Sequence, residues 1–166
     1  HDWHFFVGLA TIGIVVFPHA GAAAGALFRE NLCAMDPRTH QDLSLHQRRR
    51  SPTPQELDGI PWLDLLLPAE RERAVASLLV GDAKAGDYVC RVGRPVTYWF
   101  GVVEGLLKMS TDNAQGQTMT YAGLPPGGWF GEGTTIKREP YRYNIQALRK
   151  SVVAGLPIDS FHWLLD

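Results

Sequence analysis

The apolar positions of the chain change period as it is read from one end to the other. From Phe5 to Phe28 the run "FFVGLATIGIVVFPHAGAAAGALF" contains no Asp, Glu, Lys or Arg, and its length meets the criterion for a membrane-spanning helix. Pro18 and His19 interrupt it, the chain begins with His1, and the first methionine is Met35, followed by the polar "DPRTHQDLSLHQRRRSPTPQEL". Three readings of residues 1–35 stand open: upstream sequence joined to the reading frame, a genuine span over residues 5–28, or a signal-like segment. Residues 36–54 read as a mobile leader, in which Arg48–Arg50 form a solvated run.

A helical period follows. "LDGIPWLDLLLPAERERAVASLL" predicts two short helices broken at Pro68, with Pro68 or Ala69 opening the second. Ala74, Val75, Leu78 and Leu79 make its apolar stripe, and Glu70 to Arg73 its exposed first turn.

After Gly81 the period shortens to that of strands. Runs rich in Val, Tyr, Trp, Phe and Thr are punctuated by Gly86, Gly93, Gly101, Gly105, Gly116, Gly123 and Gly127, the pattern of an antiparallel sandwich, barrel or roll. "DNAQGQ" at 112–117 is a hairpin tip, since Asn and Gly accept positive φ. Between Tyr141 and Ala147 the alternation puts Tyr141, Tyr143, Ile145 and Ala147 on an apolar face and Arg142, Asn144 and Gln146 on a polar one. "SFHWLLD" restarts a helical period with Ser160 as its cap, and the chain stops while that helix is young.

Composition narrows the chemistry. A net charge of -1 gives no electrostatic footprint for nucleic acid. Two cysteines, Cys33 and Cys90, are too few for a disulfide framework or an iron–sulfur site, which sets a reducing, cytoplasmic default. Between Gln47 and Phe161 there is no histidine, so a metal-dependent roll enzyme lacks its usual imidazole ligands. No catalytic residue and no metal site is expected. Cys90, Trp99 and Trp129 read as core, and His162 as a packing or dimer contact.

The order of these pieces resembles the effector domain of the Crp/Fnr family of bacterial transcription regulators, which is of the cyclic-nucleotide-binding type. The resemblance runs from about Pro54 to Asp166 and rests on "AGDYVCRVGRPVTYWFGVVEGLLKM" (85–109) and "GGWFGEGTTIKREPYRYNIQALRKS" (127–151). It implies a mainly β domain over residues 55–166: an antiparallel double-stranded β-roll, jelly-roll-like, with short flanking α-helices. It also implies a non-enzymatic sensor whose small effector, cyclic AMP or another molecule, is reported through a C-terminal dimer helix. A helix-turn-helix domain beyond this chain would then bind DNA as a homodimer. The alternative is a membrane-tethered regulatory module of a channel or transporter, with residues 5–28 as a span.

The resemblance places the ligand at Phe130, Gly131, Glu132, Gly133, Thr134, Tyr141, Arg142 and Tyr143. A helix opening after Gly131 presents unpaired N–H groups, and Gly133 allows close approach. Glu132 can accept from a ribose hydroxyl, and an arginine can neutralise a cyclic phosphate. Counting ten residues on from Glu132 gives that role to Arg142. The strand alternation gives the place to Tyr141 instead and turns Arg142 outward, unless a bulge near Pro140 restores it. A third reading makes Gly131 and Gly133 a plain turn and Arg142 a solvated edge residue.

Overall fold

A computed structural model describes residues 48–166. Residues 1–47, including the apolar run and most of the leader, lie outside the described residues. The described elements are β1 (Arg49–Arg50), α1 (Pro54–Asp58), a 3-10 turn (Pro61–Leu65), α2 (Pro68–Ser77), β2 (Leu79–Ala83), β3 (Tyr88–Cys90), β4 (Tyr98–Glu104), β5 (Leu107–Asp112), β6 (Thr118–Leu124), β7 (Trp129–Phe130), α3 (Glu132–Lys137), β8 (Asn144–Ala147), β9 (Ser151–Pro157) and α4 (Ile158–Leu165). Every strand pairing is antiparallel.

The strands form two sheets, one in the order β1-β2-β9-β4-β7 and the other β3-β8-β5-β6. The domain is therefore the mainly β roll with short helices that the glycine-punctuated pattern suggests. Strand β4 shows how one sequence feeds two cores. Tyr98, Phe100 and Val102 point between the sheets, where they meet Leu107, Leu124, Phe130, Tyr141, Ile145 and Val153. Trp99 points the other way and joins Trp62, Leu63, Trp129, Leu156 and Phe161 beneath the helices. This is the period-two geometry of a strand buried on both faces.

Gly101 is dictated by that second core. A Cβ there would stand 2.2 Å from the Trp129 ring, so only glycine lets the indole cross β4. Trp129 packs at 4.6 Å from Trp99 and edge-on at 5.2 Å from Trp62, an arrangement aromatic quadrupoles favour.

The helix boundaries refine the sequence expectations. Pro68 does open α2, and the Leu67 N–H donates to the Glu70 carboxylate at 3.0 Å. The expected stripe runs too far, because Leu78 caps the helix and Leu79 begins β2. Ser160 is not a cap. Helix α4 starts directly from β9 with Pro157 at its N-cap, and Ile158 donates to the Thr97 carbonyl at 3.0 Å. Pro157 sits in extended backbone at φ -54 and ψ 142, which is proline's own φ and leaves no loop for a serine to close.

The hairpin tip forms around Asn113, whose side-chain oxygen accepts from the Gln115 and Gln117 N–H groups, with Gly116 at φ 75. Part of the arginine run is structured. Arg49 and Arg50 pair with Gly81 and Val80 as an edge strand, and Arg50 holds Glu56 through hydrogen bonds of 2.6 and 2.8 Å.

Candidate functional site

Short strand β7 splits its two residues between the cores and then ends at Gly131. Phe130 enters the roll and stacks on Phe100 with ring centroids 5.8 Å apart. Gly131 has φ 86 and is the N-cap of α3. Its carbonyl accepts from both the backbone N–H and the hydroxyl of Thr135, at 2.8 and 2.7 Å. A Cβ at residue 131 would lie 2.5 Å from the Tyr143 hydroxyl, so glycine is required here by both conformation and space. Gly133 is different: a Cβ there meets nothing within 4 Å.

Glu132 opens α3 and is half-buried. Burial pushes its carboxyl above the ordinary carboxylate range, and hydrogen bonding to its own backbone amide works the other way. Neither influence is a cation. Thr134 follows on the same turn, with its carbonyl receiving the Glu139 N–H at 3.1 Å.

The chain returns through Pro140 to β8. Tyr141 is buried, its hydroxyl donates to the Tyr98 carbonyl at 3.1 Å, and its ring lies 6.4 Å from Phe100 and 6.1 Å from Tyr143. Its own N–H and C=O are bonded to Arg94 and Gly93, so this aromatic is locked from both sides. Arg142 is turned outward, with its side chain 76% exposed and its guanidinium donating to Glu139 at 3.0 Å. The alternation thus continues through residues 141–147, with Ile145 and Ala147 buried beside Tyr141.

Tyr143 is half-buried and faces back to the start of α3. Its hydroxyl oxygen is enclosed yet has no hydrogen-bond partner among the described residues. Burial pushes this phenol up to about 12, with Cys90 and Glu132 adding to the effect and the Thr134 side chain opposing it. Thr134 is near enough to favour the ionised form, but the contact does not meet hydrogen-bond geometry. The same causes act on Tyr141, which burial and the neighbouring Cys90 and Tyr143 push upward.

Of the residues singled out in the sequence, Phe130, Gly131, Glu132, Thr134 and Tyr143 are brought to one corner of the roll. Tyr141 lines its floor, Gly133 stands at the surface, and Arg142 is directed away. Two links escaped the sequence reading. The His162 ring Nε2, which must donate against a carbonyl, lies 3.0 Å from the Thr135 oxygen, and Arg138 pairs with Asp159 at 3.0 Å. Both tie α3 to α4. The position of His162 on a helix was legible, but its acceptor is a backbone atom 27 residues away and carries no side-chain signature.

Among the described residues no cluster of three or more His, Cys, Asp and Glu could hold a metal ion, and no helix is long and apolar enough to cross a membrane.

Known proteins place this corner in context. Residues 81–166 match the cyclic nucleotide-binding domain family. A cyclic nucleotide-gated potassium channel of Mesorhizobium japonicum is 32% identical over 110 residues, which are 66% of this chain and 29% of the channel. The chain thus matches less than a third of that curated relative's length. Among solved structures, the sensor domain of the transcriptional regulator DNR from Pseudomonas aeruginosa aligns with a TM-score of 0.60 and 21% identity, covering 67% of this chain and 75% of that one. The regulatory domain of Toxoplasma gondii PKA, crystallised with cAMP, aligns with a TM-score of 0.60 and 25% identity over 66% of this chain and 42% of that one. The match spans more than half of the residues and the roll agrees with it in architecture: the chain belongs to the cyclic nucleotide-binding domain family.

Proposed function

We propose that this chain is the ligand-sensing effector domain of a Crp/Fnr-like transcription regulator, non-enzymatic and cytoplasmic, with its effector site at Phe130–Thr134, Tyr141 and Tyr143. One observation carries the reading. The last described helix, α4, is clasped to the site helix α3 through Thr135–His162 and Arg138–Asp159. A molecule touching Gly131 or Glu132 acts on α3, and α3 bears on α4 within one turn. Signalling then needs the effector to bind one arrangement of the α3–α4 pair better than another, because equal binding shifts nothing.

The likeness to the DNR sensor domain supports this assignment. In the proposal α4 continues into a dimer helix and a DNA-binding domain, and two-fold related half-sites make the whole protein a homodimer. Amide hydrogen exchange of the full chain, with and without a bound effector, tests it. Changed protection in residues 158–165 supports transmission through α4. Binding that leaves α4 unchanged refutes it.

A second reading has its own observation, the 32% identity with the potassium channel. In that case the roll gates a membrane protein. Sequencing the transcript on both sides of this chain separates the two, since the first requires a helix-turn-helix downstream and the second requires spans upstream.

A further inference from the structure

This inference rests on reading the Gly131–Tyr143 corner as the effector site. We propose that the effector is uncharged where a cyclic nucleotide carries its phosphate: a neutral, hydroxyl-bearing molecule of nucleoside type, held by hydrogen bonds to the Glu132 carboxylate and the Tyr143 hydroxyl.

The first argument is where the positive charges stand. Lys137 and Arg138 are exposed on α3, and Arg138 is engaged with Asp159. Arg142 is held at the surface by Glu139. Strand register accounts for two more cations. Lys108 sits opposite Gln146, on the face of the four-stranded sheet away from Ile145 and Ala147. The Arg91 guanidinium lies 4.1 Å above the ring of Tyr88, which is likewise opposite Gln146. Lys108 and Arg91 are half-buried on that outer face, and Arg94, whose backbone carbonyl accepts from the Tyr141 N–H, is exposed.

The second argument is what fills the inside. The residue on the inward phase after Pro140 is Tyr141, whose hydroxyl is already spent on the Tyr98 carbonyl. The proton-bearing groups at this corner are Glu132, Tyr143, Tyr141 and Cys90, every one of which becomes an anion when it ionises. Burial disfavours that ionisation in each. An incoming phosphate would add another negative charge to a group of potential anions, and no cation is among the influences acting on Glu132 or Tyr143. Buried charge of that kind is tolerated only when paired.

The third argument is what the corner offers instead. The Tyr143 hydroxyl is enclosed and has no partner, although buried polar atoms nearly always have one. It stands where Gly131 leaves no side chain. Together with the half-buried Glu132 it presents an acceptor and a group that can donate or accept, which is the complement of neutral hydroxyls.

Isothermal titration of the full chain with adenosine, guanosine, cyclic AMP and cyclic GMP tests the proposal, alongside Tyr143→Phe, Glu132→Gln and Tyr141→Arg. The expected result is a nucleoside bound at least tenfold more tightly than its cyclic phosphate, weakened tenfold or more by Tyr143→Phe and by Glu132→Gln. Tyr141→Arg, checked for folding by circular dichroism, should reverse the preference. Wild-type protein that prefers a cyclic nucleotide, in a manner lost in Glu132→Gln, overturns the neutral ligand while keeping the site. Binding indifferent to both Glu132→Gln and Tyr143→Phe overturns the site itself. No binding of any of the four by folded wild type and Tyr141→Arg protein overturns both.

Discussion

The two cores lie on opposite faces of one sheet and are built to different standards. Beneath the helices, Trp62, Trp99, Trp129 and Phe161 interlock with Leu63 and Leu156, and the polar atoms buried without an acceptor in this layer, among the described residues, are indole N–H groups such as those of Trp62 and Trp129. Inside the roll the aromatics Tyr98, Phe100, Phe130 and Tyr141 also pack together. Toward α3, however, that core ends in an unpartnered phenol and a half-buried carboxylate rather than in more hydrocarbon. Space-filling explains the first region. In the second, polar groups have been placed where apolar ones would pack better, and a protein retains such groups at sites rather than in scaffolds.

Substitutions of unequal weight can break the comparison. The largest effect should come from Trp129→Ala, which empties the centre of the tryptophan cluster. Truncating a buried Trp costs about 3–5 kcal/mol. Chemical denaturation should show that loss in the midpoint with the slope unchanged. A loss below about 1 kcal/mol would mean that the helices collapse onto the gap and that this core is less tightly specified than its geometry indicates.

Gly131→Ala comes next and strikes the roll. The backbone there is left-handed and the new methyl group meets the Tyr143 hydroxyl, so a stability cost of about 1–2 kcal/mol is expected. Effector binding should disappear altogether, whereas Trp129→Ala protein that remains folded should keep it. If Gly131→Ala binds its effector normally, the α3 corner is not the site.

Much of this division was legible in advance. The strict alternation from Tyr141 to Ala147 predicted which side chains enter the roll, because period two leaves no freedom once Ile145 is buried. Gly131 announced a turn between an aromatic strand and a short helix. What the residues could not announce was pairing decided by distant backbone. Arg49 and Arg50 have no strand pattern of their own, and they become β1 because Gly81 and Val80 offer an open edge while Glu56 and Asp82 receive the Arg50 guanidinium. Ser160 looked like a cap because the rule of caps assumes a loop before the helix, and here β9 supplies none. The α3–α4 clasp depends on the Thr135 carbonyl, an atom every residue possesses.

Two intermediate substitutions sharpen the picture. Tyr141→Phe removes the buried hydroxyl that donates to the Tyr98 carbonyl, so a loss of about 0.5–1.5 kcal/mol is expected, with nucleoside binding retained. Glu56 probes the rim of the helix-covered core. Its carboxyl is held at about 2 by the Arg50 guanidinium, against an ordinary value of 4.5. A carboxyl depressed on folding adds stability that is present above pH 4.5 and fades as the pH falls through about 2. Glu56→Gln should therefore flatten the acid limb of the stability curve within that window and leave it unchanged near neutrality in shape. With Arg50 partly exposed, the whole effect should stay near about 1 kcal/mol.

Arg142→Ala should do least, and it discriminates most finely between the two ways of counting from Glu132. Its guanidinium is three-quarters exposed and its partner Glu139 lies one turn away, the class of surface pair worth about 0–1 kcal/mol. Stability should therefore be unchanged within error. Effector affinity should also be unchanged, because the side chain lies on the polar face of the segment whose other face holds Tyr141 and Ile145. A tenfold or greater loss of affinity would show that Arg142 swings inward when ligand arrives, breaking its bond to Glu139. In that event a charged effector returns to consideration, and the contrast between the two cores would no longer mark out the site.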